Sequence, residues 1–458
     1  MAKERESLGS RLGFILLSAG CAIGIGNVWK FPWMVGQYGG GMFVLIYLFF
    51  LIALGVPVMT MEFAMGRAAQ KSPVRMYQEL EPKGSKWHVH GIFALIGNII
   101  LMMFYTNVAG WMLQYFFKTA SGELSGLTTD EIGAAFGGML ADPVWQTVFM
   151  GVIVVIGALV CMIGVKRGLE RVTKYMMLAL LGLMVVLAVN SMFLDGAADG
   201  LKFYLIPSID NMKAAGIGNV IVGAMNQAFF TLSLGIGAMA IFGSYLNKNR
   251  SLMGEAVNVA VLDTFVAITS GLIIFPACFA YGVQPDAGPS LIFITLPNVF
   301  NNMPGGRIWG ALFFLFMTFA ALSTVLAVFE NIIACIMDMT SWGRKKTSAV
   351  VGVGIFLLSL PCVFGYNLLS GFVPFADGSA VLDLEDFIVS NILLPAGSLI
   401  FVLFCVTRYG WGWNNFVAEA NEGRGLKVAK WMRPIVTVLI PIIILVILVM
   451  GLITFSYR

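Results

Sequence analysis

Long apolar stretches separated by short polar segments follow one another along the whole chain. Eleven of these stretches have about 20 residues or more, the length that an α-helix needs to cross the hydrocarbon core of a bilayer. The pattern therefore predicts an all-α integral membrane protein with eleven spanning helices. We expect these helices to begin near Leu12, Met42, Ile92, Trp145, Tyr175, Ile217, Ala256, Trp309, Ser348, Phe387 and Ile435.

The first apolar stretch is interrupted by residues that do not favour a regular helix. Between Ser18 and Pro32 it contains three glycines, followed by Asn27 and Lys30. Glycine lets the backbone leave the helical conformation, and irregular backbone at membrane depth is tolerated only where it is buried in protein or lines a cavity. We interpret the interruption as an unwound segment whose free backbone groups face a ligand. A glycine-rich surface for helix packing is the alternative interpretation.

The sixth apolar stretch is interrupted in a similar way, by two hydroxyl residues and two glycines. Two broken helices at corresponding positions of two halves are typical of transporters built from inverted repeats, with the binding site near the middle of the membrane. We therefore predict a single transmembrane domain, 1–458, with an inverted five-plus-five helix repeat. The interrupting residues are Thr231, Ser233, Gly235 and Gly237. The expected parts are a first repeat over about 8–195, a second over about 215–410 and an extra helix over about 431–455.

Composition and charge narrow the class of protein. Of the 458 residues, 59% are hydrophobic and only 11% are charged, which excludes an ordinary soluble domain. Most of the 28 Lys and Arg residues lie in loops on the same side as the N-terminus. This bias predicts a cytoplasmic N-terminus and, with an odd number of spans, an extracellular C-terminus in a cell membrane.

Several kinds of site are not supported by the sequence. The glycines at 39–41 are not followed by the Lys-Ser/Thr pair of a phosphate-binding loop, so an ATP-driven pump is not indicated. The six cysteines lie in or at the ends of apolar stretches, which predicts free buried thiols without disulfides. We find no catalytic constellation and expect no enzyme. We expect the lipid bilayer and no nucleic acid as a partner, and the oligomeric state stays open.

Asp263 is the most informative ionisable residue in the apolar stretches. It lies in the seventh stretch, which contains no basic residue, and a carboxylate in such surroundings is either protonated or paired. A hard cation such as Na⁺, which prefers oxygen ligands, is a suitable partner. Ser323 and Thr324 in the eighth stretch add two hydroxyls; the alternative is that they bond to the preceding turn of their own helix. The other ionisable residues in these stretches are Lys30, Glu62, Glu330, Asp338 and Asp386.

Six short motifs occur in the order known from one transporter family and extend over nearly the whole chain. They are RLGF at 11–14, GIGNVWKFP at 24–32, GGG at 39–41, MEFAMGR at 61–67, FFTLSLG at 229–235 and ITLP at 294–297. The chain thus resembles the bacterial branch of the neurotransmitter:sodium symporter family. This resemblance implies the leucine-transporter fold, with broken first and sixth helices, and sodium-coupled import of a small substrate by alternating access.

The resemblance also implies particular residues for two sodium ions and the substrate. One sodium site is expected to use Ala22, Asn27, Thr231 and Asp263, and the other Gly20, Ile23, Ala320, Ser323 and Thr324. The expected substrate-binding residues are Ala22, Gly24, Ile25, Gly26, Leu101, Tyr105, Phe230, Thr231, Ser233, Ile236, Ala327 and Val328. Within this set, Tyr105 and the amides of Gly24 and Gly26 are expected to bind the substrate carboxylate. The outer gate is expected to consist of Lys30 and Asp386, and the inner gate of Arg5, Tyr245 and Asp338.

Three positions depart from the family pattern. Lys30 stands where arginine is usual, and lysine lacks the planar fork of a guanidinium, which implies a looser outer gate. Leu8 replaces a tryptophan beside Arg5. In the fifth helix, Gly168 is present but Leu178 stands where proline is usual ten residues later, so we expect that helix to unwind less readily.

The resemblance also narrows the substrate. Monoamine carriers of the family have aspartate where Gly24 stands, so glycine favours a substrate with its own carboxylate. The apolar pocket residues favour a hydrophobic or aromatic L-amino acid, and Ile236, where phenylalanine is frequent, widens the pocket. Asp263 supplies a fixed negative charge, which implies independence from chloride. The alternatives are a proton-coupled amino-acid carrier and a transport-deficient sensor of the same fold; a channel would need a continuous polar pore lining.

Overall fold

The computed structural model describes residues 8–282 and 291–453. In these residues the regular structure is helical, apart from one isolated bridge between Arg250 and Arg424. Within the described ranges, nine continuous helices are long and apolar enough to cross a membrane. They are Gly41–Ala69, Val89–Ser121, Pro143–Ile163, Val165–Met192, Leu252–Ala280, Gly306–Met339, Arg344–Phe364, Val381–Val406 and Met432–Ile453.

The first predicted span is a pair of helices, Arg11–Ala22 and Gly26–Gln37, that meet at an angle of 58°. Its first helix is capped by Ser10, whose side chain accepts a hydrogen bond from the backbone amide of Gly13 (3.0 Å). It ends at Ile23, whose backbone is extended. The predicted interruption is therefore present, and we call residues 23–25 the first break.

The sixth predicted span consists of two short helices, Ile217–Thr231 and Ala238–Gly243. Residues 232–237 between them form the second break. Gly235 and Gly237 there have φ angles of 99° and 72°, a region that glycine enters at little cost. Within the described residues, the nine continuous helices and the bent first pair give ten spans by length and composition, and this broken helix pair lies at the position of the remaining predicted span, the sixth.

The spans differ in how deeply they lie in the bundle. In the eighth span, Gly306–Met339, 78% of the most apolar window is buried inside the protein, against 22% in the last span, Met432–Ile453. The eighth span packs extensively against the third, Val89–Ser121. These two helices thus form the centre of the bundle, and the two breaks lie against them.

Shorter helices connect the spans: Pro73–Leu80, Thr129–Ala141, Ala197–Leu205, Ile209–Ala215, Leu296–Asn302 and Trp413–Ala420. The apolar segment around residue 292, which is too hydrophobic for a free loop, is packed onto the bundle. Phe293 is fully buried, and its ring stacks on Phe136 of the helix Thr129–Ala141 at a centroid distance of 4.9 Å. This segment therefore folds back onto the protein.

Candidate functional site

Backbone amides of the first break are bound by side chains. The amide of Gly24 donates to Asn27 Oδ1 (3.2 Å), and the amide of Ile25 donates to the hydroxyl oxygen of Tyr105 (2.9 Å). Tyr105 accepts in this contact, so the contact does not use its own hydroxyl proton. Ile25 of the motif at 24–32 and Tyr105 of the third span are thus in contact just after the helix Arg11–Ala22 ends.

Asp263 lies at the centre of a fully buried polar cluster. Asn27 Nδ2 donates to Asp263 Oδ1 (2.8 Å), and the Thr231 hydroxyl donates to Asp263 Oδ2 (3.0 Å). Asn27 Nδ2 also lies 2.9 Å from Thr231 Oγ1. In the described part of the chain no basic side chain pairs with Asp263. A buried carboxylate without a counter-charge is costly, so this cluster of the first, sixth and seventh spans fits a bound cation.

A second group of oxygens lies between the first break and the eighth span. Ser323 Oγ is 2.9 Å from the Ala320 carbonyl oxygen and 3.3 Å from that of Ile23. Thr324 Oγ1 is 3.3 Å from the Gly20 carbonyl oxygen and 3.4 Å from that of Ile23. Each hydroxyl has a single proton, so several lone pairs in this group have no donor. A group of neighbouring oxygens without donors matches the oxygen-only ligands of a hard cation.

A cavity adjoins both groups of oxygens. Nine of the predicted substrate-binding residues line it: Ala22, Gly24, Gly26, Leu101, Tyr105, Phe230, Thr231, Ser233 and Ile236. Four further residues complete the lining: Cys21, Thr324, Val389 and Leu394. The other three predicted residues, Ile25, Ala327 and Val328, are buried but are not part of this lining. The site is thus polar at the break in the first span and apolar elsewhere.

A family model described as the sodium:neurotransmitter symporter family matches residues 5–131 and 138–458. This chain belongs to the sodium:neurotransmitter symporter family. It is 38% identical to the sodium-dependent transporter YhdH of Bacillus subtilis, over 86% of each chain. It is 30% identical to a sodium-dependent transporter of Haemophilus influenzae, over 98% of this chain and 99% of that protein.

Among solved structures, the chain is similar to the crystal structure of MhsT in complex with L-phenylalanine. The TM-score is 0.87 and the identity 37%, and the match covers 98% of this chain and 100% of MhsT. The chain has the leucine-transporter fold with its inverted five-plus-five repeat, so the predicted fold class is confirmed. It is a sodium-dependent transporter and not an enzyme, as the sequence predicted.

Two buried amide side chains hold the second break, and the sequence reasoning missed them. Asn98 Nδ2 donates to the carbonyl of Ile236 (2.8 Å). Asn331 Nδ2 lies 3.1 Å from Asn98 Oδ1 and 3.5 Å from the same carbonyl. The sequence could have indicated them, because each is an amide side chain within an apolar span and polar side chains at that depth are usually functional.

Other polar side chains fix the backbone around the site. Glu62 Oε1 accepts the amide of Gly235 (2.7 Å), so this carboxylate of the second span holds the second break. The Ser270 hydroxyl donates to the Asn27 carbonyl (2.8 Å), and Gln227 Nε2 donates to the Gly26 carbonyl (3.3 Å). Of these, the sequence analysis had singled out only Glu62, as an ionisable residue without a role.

The structure does not bring the predicted outer gate together as an ion pair. Lys30 Nζ lies 3.8 Å from the centre of the Phe230 ring, a cation–π contact. Asp386 instead accepts a hydrogen bond from the Ser390 hydroxyl (2.7 Å). The contact to Phe230 places Lys30 over the pocket.

At the opposite end of the pathway, Tyr245 and Asp338 have partners that the sequence did not predict. The Tyr245 hydroxyl donates to Glu330 Oε1 (2.6 Å), and the guanidinium of Arg344 binds both oxygens of the same carboxylate (2.7 and 2.9 Å). Asp338 Oδ2 accepts the amide of Ser72 (2.7 Å). Arg5, the remaining member of the predicted inner gate, lies outside the described residues.

The fifth span has a tight glycine contact but no proline. Gly168 lies in a π-helical segment, Val165–Glu170, at the start of the span. A Cβ atom at this position would lie 2.2 Å from the Val160 carbonyl oxygen, so no larger residue fits without a backbone shift. Leu178 continues the regular helix Arg171–Met192 and faces outward.

Proposed function

We propose that this protein imports hydrophobic or aromatic L-amino acids together with sodium by alternating access. The substrate lies in the cavity between the two breaks, and two sodium ions bind in the two groups of oxygens beside it. Transport does not require chloride. The N-terminus is cytoplasmic and the C-terminus extracellular in a bacterial inner membrane, with repeats at about 8–195 and 215–410 and an extra helix at about 431–455.

The polar end of the otherwise apolar cavity is the observation that carries this proposal. The hydroxyl of Tyr105, which accepts from the Ile25 amide, can donate its proton there, beside the backbone at Gly24 and Gly26. An α-carboxylate at this point accepts a hydrogen bond from the Tyr105 hydroxyl and lies next to a sodium ion held by Asp263. The substrate ammonium is then directed to the carbonyl groups at Phe230 and Thr231, where the helix Ile217–Thr231 ends. Carbonyls at a helix C-terminus favour a positive charge.

The space around Gly24 supports a zwitterionic substrate over a simple amine. A Cβ atom built on Gly24 would lie 2.3 Å from the Tyr105 hydroxyl oxygen and 2.8 Å from Thr324 Oγ1. An acidic side chain at this position, which would pair with an amine, therefore does not fit the present packing. The substrate has to bring the carboxylate itself.

The remainder of the cavity supports an apolar side chain. Leu101, Phe230, Ile236, Val389 and Leu394 lie around it, and burying apolar surface there gives about 25 cal/mol per Å². The relative MhsT, whose crystal structure contains L-phenylalanine, is consistent with an aromatic side chain in this position. Aromatic and large aliphatic amino acids are therefore the proposed substrates.

The contacts also suggest how sodium and substrate are coupled. A sodium ion at Asp263 neutralises the buried carboxylate and adjoins the substrate carboxylate. A second sodium ion at Ser323 and Thr324 joins the first break to the eighth span. Loss of this second ion would release the helix Arg11–Ala22 from the eighth span. The path from the site toward the Glu330–Arg344 ion pair could then open. Each ion thus stabilises one of the contacts that close the site.

Uptake into proteoliposomes tests the proposal directly. Labelled phenylalanine, tryptophan, leucine, glutamate and a monoamine are offered with an inward sodium gradient, with a proton gradient alone, and with neither. We expect sodium-driven uptake of the apolar amino acids only. Uptake driven by protons alone would favour a proton-coupled carrier. Saturable binding without uptake would favour a sensor.

A further inference from the structure

We propose that a pocket formed by Arg11, Arg250 and Arg424 binds a phosphate group, and that this phosphate belongs to an anionic phospholipid of the surrounding bilayer. The pocket lies where the start of the first span, the start of the seventh span and the loop before the last span meet. This is the end of the bundle that carries most of the basic loops. The inference concerns a site apart from the substrate cavity and does not depend on which substrate is carried.

The backbone holds two of the arginines side by side. Arg250 and Arg424 form the single bridge in the described chain, supported by hydrogen bonds from the Ser251 amide to the Arg424 carbonyl and from the Arg424 amide to the Asn249 carbonyl (both 3.1 Å). The fully buried Arg67 donates from Nη1 to the Arg250 carbonyl (2.7 Å). The two side chains thus start from neighbouring points of a fixed backbone.

The charges in this pocket are not balanced by acidic side chains. Within the described residues, neither Arg250 nor Arg424 forms an ion pair, and both are exposed. Arg11 is half exposed and uses only Nε to bind Glu255 Oε1 (2.9 Å), so its terminal amino groups remain for another acceptor. Three guanidinium groups thus face one carboxylate.

The size and chemistry of the pocket fit a phosphate group. The pocket has a volume of about 280 Å³, and polar residues Ser251 and Asn258 also line it. Guanidinium groups bind phosphate through paired hydrogen bonds, which gives them an advantage over a single point charge. A monovalent inorganic anion would leave most of these donors without a partner.

Exposed apolar side chains of the pocket lining and of the adjoining chain segments favour a lipid over free phosphate. Leu12, adjacent to Arg11, is 49% exposed, and Leu426, close to Arg424, is 53% exposed. Trp431, at the start of the last span, is 69% exposed, and tryptophan is enriched at the level of lipid headgroups. A phospholipid satisfies both parts, because its phosphate binds the arginines while its acyl chains cover these side chains.

Native mass spectrometry of the purified protein tests this site. The parent is equilibrated in detergent with equal amounts of phosphatidylglycerol and phosphatidylcholine, and bound lipid is counted. We expect the parent to retain phosphatidylglycerol in preference to phosphatidylcholine. The double variant Arg250→Gln/Arg424→Gln should lower this preference at least about tenfold, because each basic residue near a headgroup contributes to binding.

The control removes charge from the same loop without changing the pocket. Lys427 and Lys430 are exposed and do not line it, so Lys427→Gln/Lys430→Gln should keep the lipid preference. An equal loss in both double variants would reduce the effect to general loop charge and overturn the proposal. In a second experiment, the protein is given inorganic phosphate without anionic lipid, and bound phosphate is counted. Retention of phosphate with no preference between the two lipids would also overturn the lipid assignment.

Discussion

The two breaks in the membrane helices hold their unwound backbone in different ways. At the first break, the carbonyls of Gly20 and Ile23 lie 3.3–3.4 Å from the Thr324 hydroxyl, which has one proton for all of them. At the second break, side chains of neighbouring spans bind one amide and one carbonyl at shorter distances than these. Glu62 accepts the Gly235 amide at 2.7 Å, and Asn98 donates to the Ile236 carbonyl at 2.8 Å.

This difference assigns sodium binding to the first break and substrate selectivity to the second. The first break leaves oxygen lone pairs without donors, and such a group is completed by a cation. At the second break, protein side chains bind the Gly235 amide and the Ile236 carbonyl, so these two groups need no ion and this backbone can act as a fixed wall for the substrate. Sodium binding should therefore depend on the first break, and substrate selectivity on the second.

The largest expected effect comes from removing the charge beside the first break. The Asp263→Asn variant loses the only carboxylate in the Asn27–Thr231 cluster, and a hydrogen bond or contact to a charged group contributes about 1.5–3 kcal/mol. The sodium concentration for half-maximal substrate binding should rise by roughly tenfold or more. Sodium titration of bound labelled substrate measures this.

A matched control for Asp263 lies on the same helix. Thr269 bonds only to the Phe265 carbonyl of its own turn, so Thr269→Val should keep the sodium dependence of the parent. If Asp263→Asn binds sodium as the parent does, the carboxylate has a structural role only.

Substrate affinity should fall next most strongly when the Tyr105 hydroxyl is removed. In Tyr105→Phe the substrate carboxylate loses one donor, and the Ile25 amide loses its acceptor. Because a hydrogen bond to a charged group contributes about 1.5–3 kcal/mol, the Kd should rise roughly tenfold. Tyr115→Phe, on the same helix and buried outside the cavity, should leave affinity unchanged. Equal affinity in Tyr105→Phe and the parent would remove Tyr105 from the site.

A smaller and more selective effect is expected at the second break. Ile236→Phe fills the cavity with a ring, so preference should shift from tryptophan or phenylalanine toward leucine or valine. The shift should follow the apolar contact that is lost, about 25 cal/mol per Å². Competition of aromatic and aliphatic amino acids against one labelled substrate gives the ratio. If uptake falls for all substrates while the ratio stays constant, Ile236 is a packing residue and not a wall of the pocket.

The smallest expected effect is the change in uptake when chloride is removed. Asp263 already provides a negative charge beside the sodium site, so no mobile anion is needed there. Uptake measured after replacing chloride with gluconate should equal uptake in chloride. A large loss in gluconate would mean that the carboxylate does not balance the charge of the ion.

The sequence predicts most of the fold but only part of the site. The lengths of the apolar stretches and the glycines at 235 and 237 are local properties, so the spans and both breaks could be predicted from them. The pocket residues Val389 and Leu394, in contrast, depend on which face of the tenth span, Val381–Val406, meets the breaks. No local pattern carries that information.

The same limit explains the polar contacts that were missed. Asn98 and Asn331 lie on different spans and meet only because the third and eighth helices pack together. The ion pair of Glu330 and Arg344 likewise joins the eighth span to the start of the ninth. The residue types were visible in the sequence, but their pairing depends on the relative rotation of neighbouring helices.

Comparison of one variant at each break tests the central claim most directly. Ser323→Ala removes a hydroxyl of the eighth span that contacts the Ile23 carbonyl at the first break. Asn98→Ala removes an amide of the third span that binds the Ile236 carbonyl at the second break. Both variants are measured for half-saturating sodium and for the ratio of aromatic to aliphatic competition. We expect Ser323→Ala to raise the sodium requirement and keep the ratio, and Asn98→Ala to change the ratio and keep the sodium requirement. If both variants change both quantities together, the two breaks do not have separate tasks.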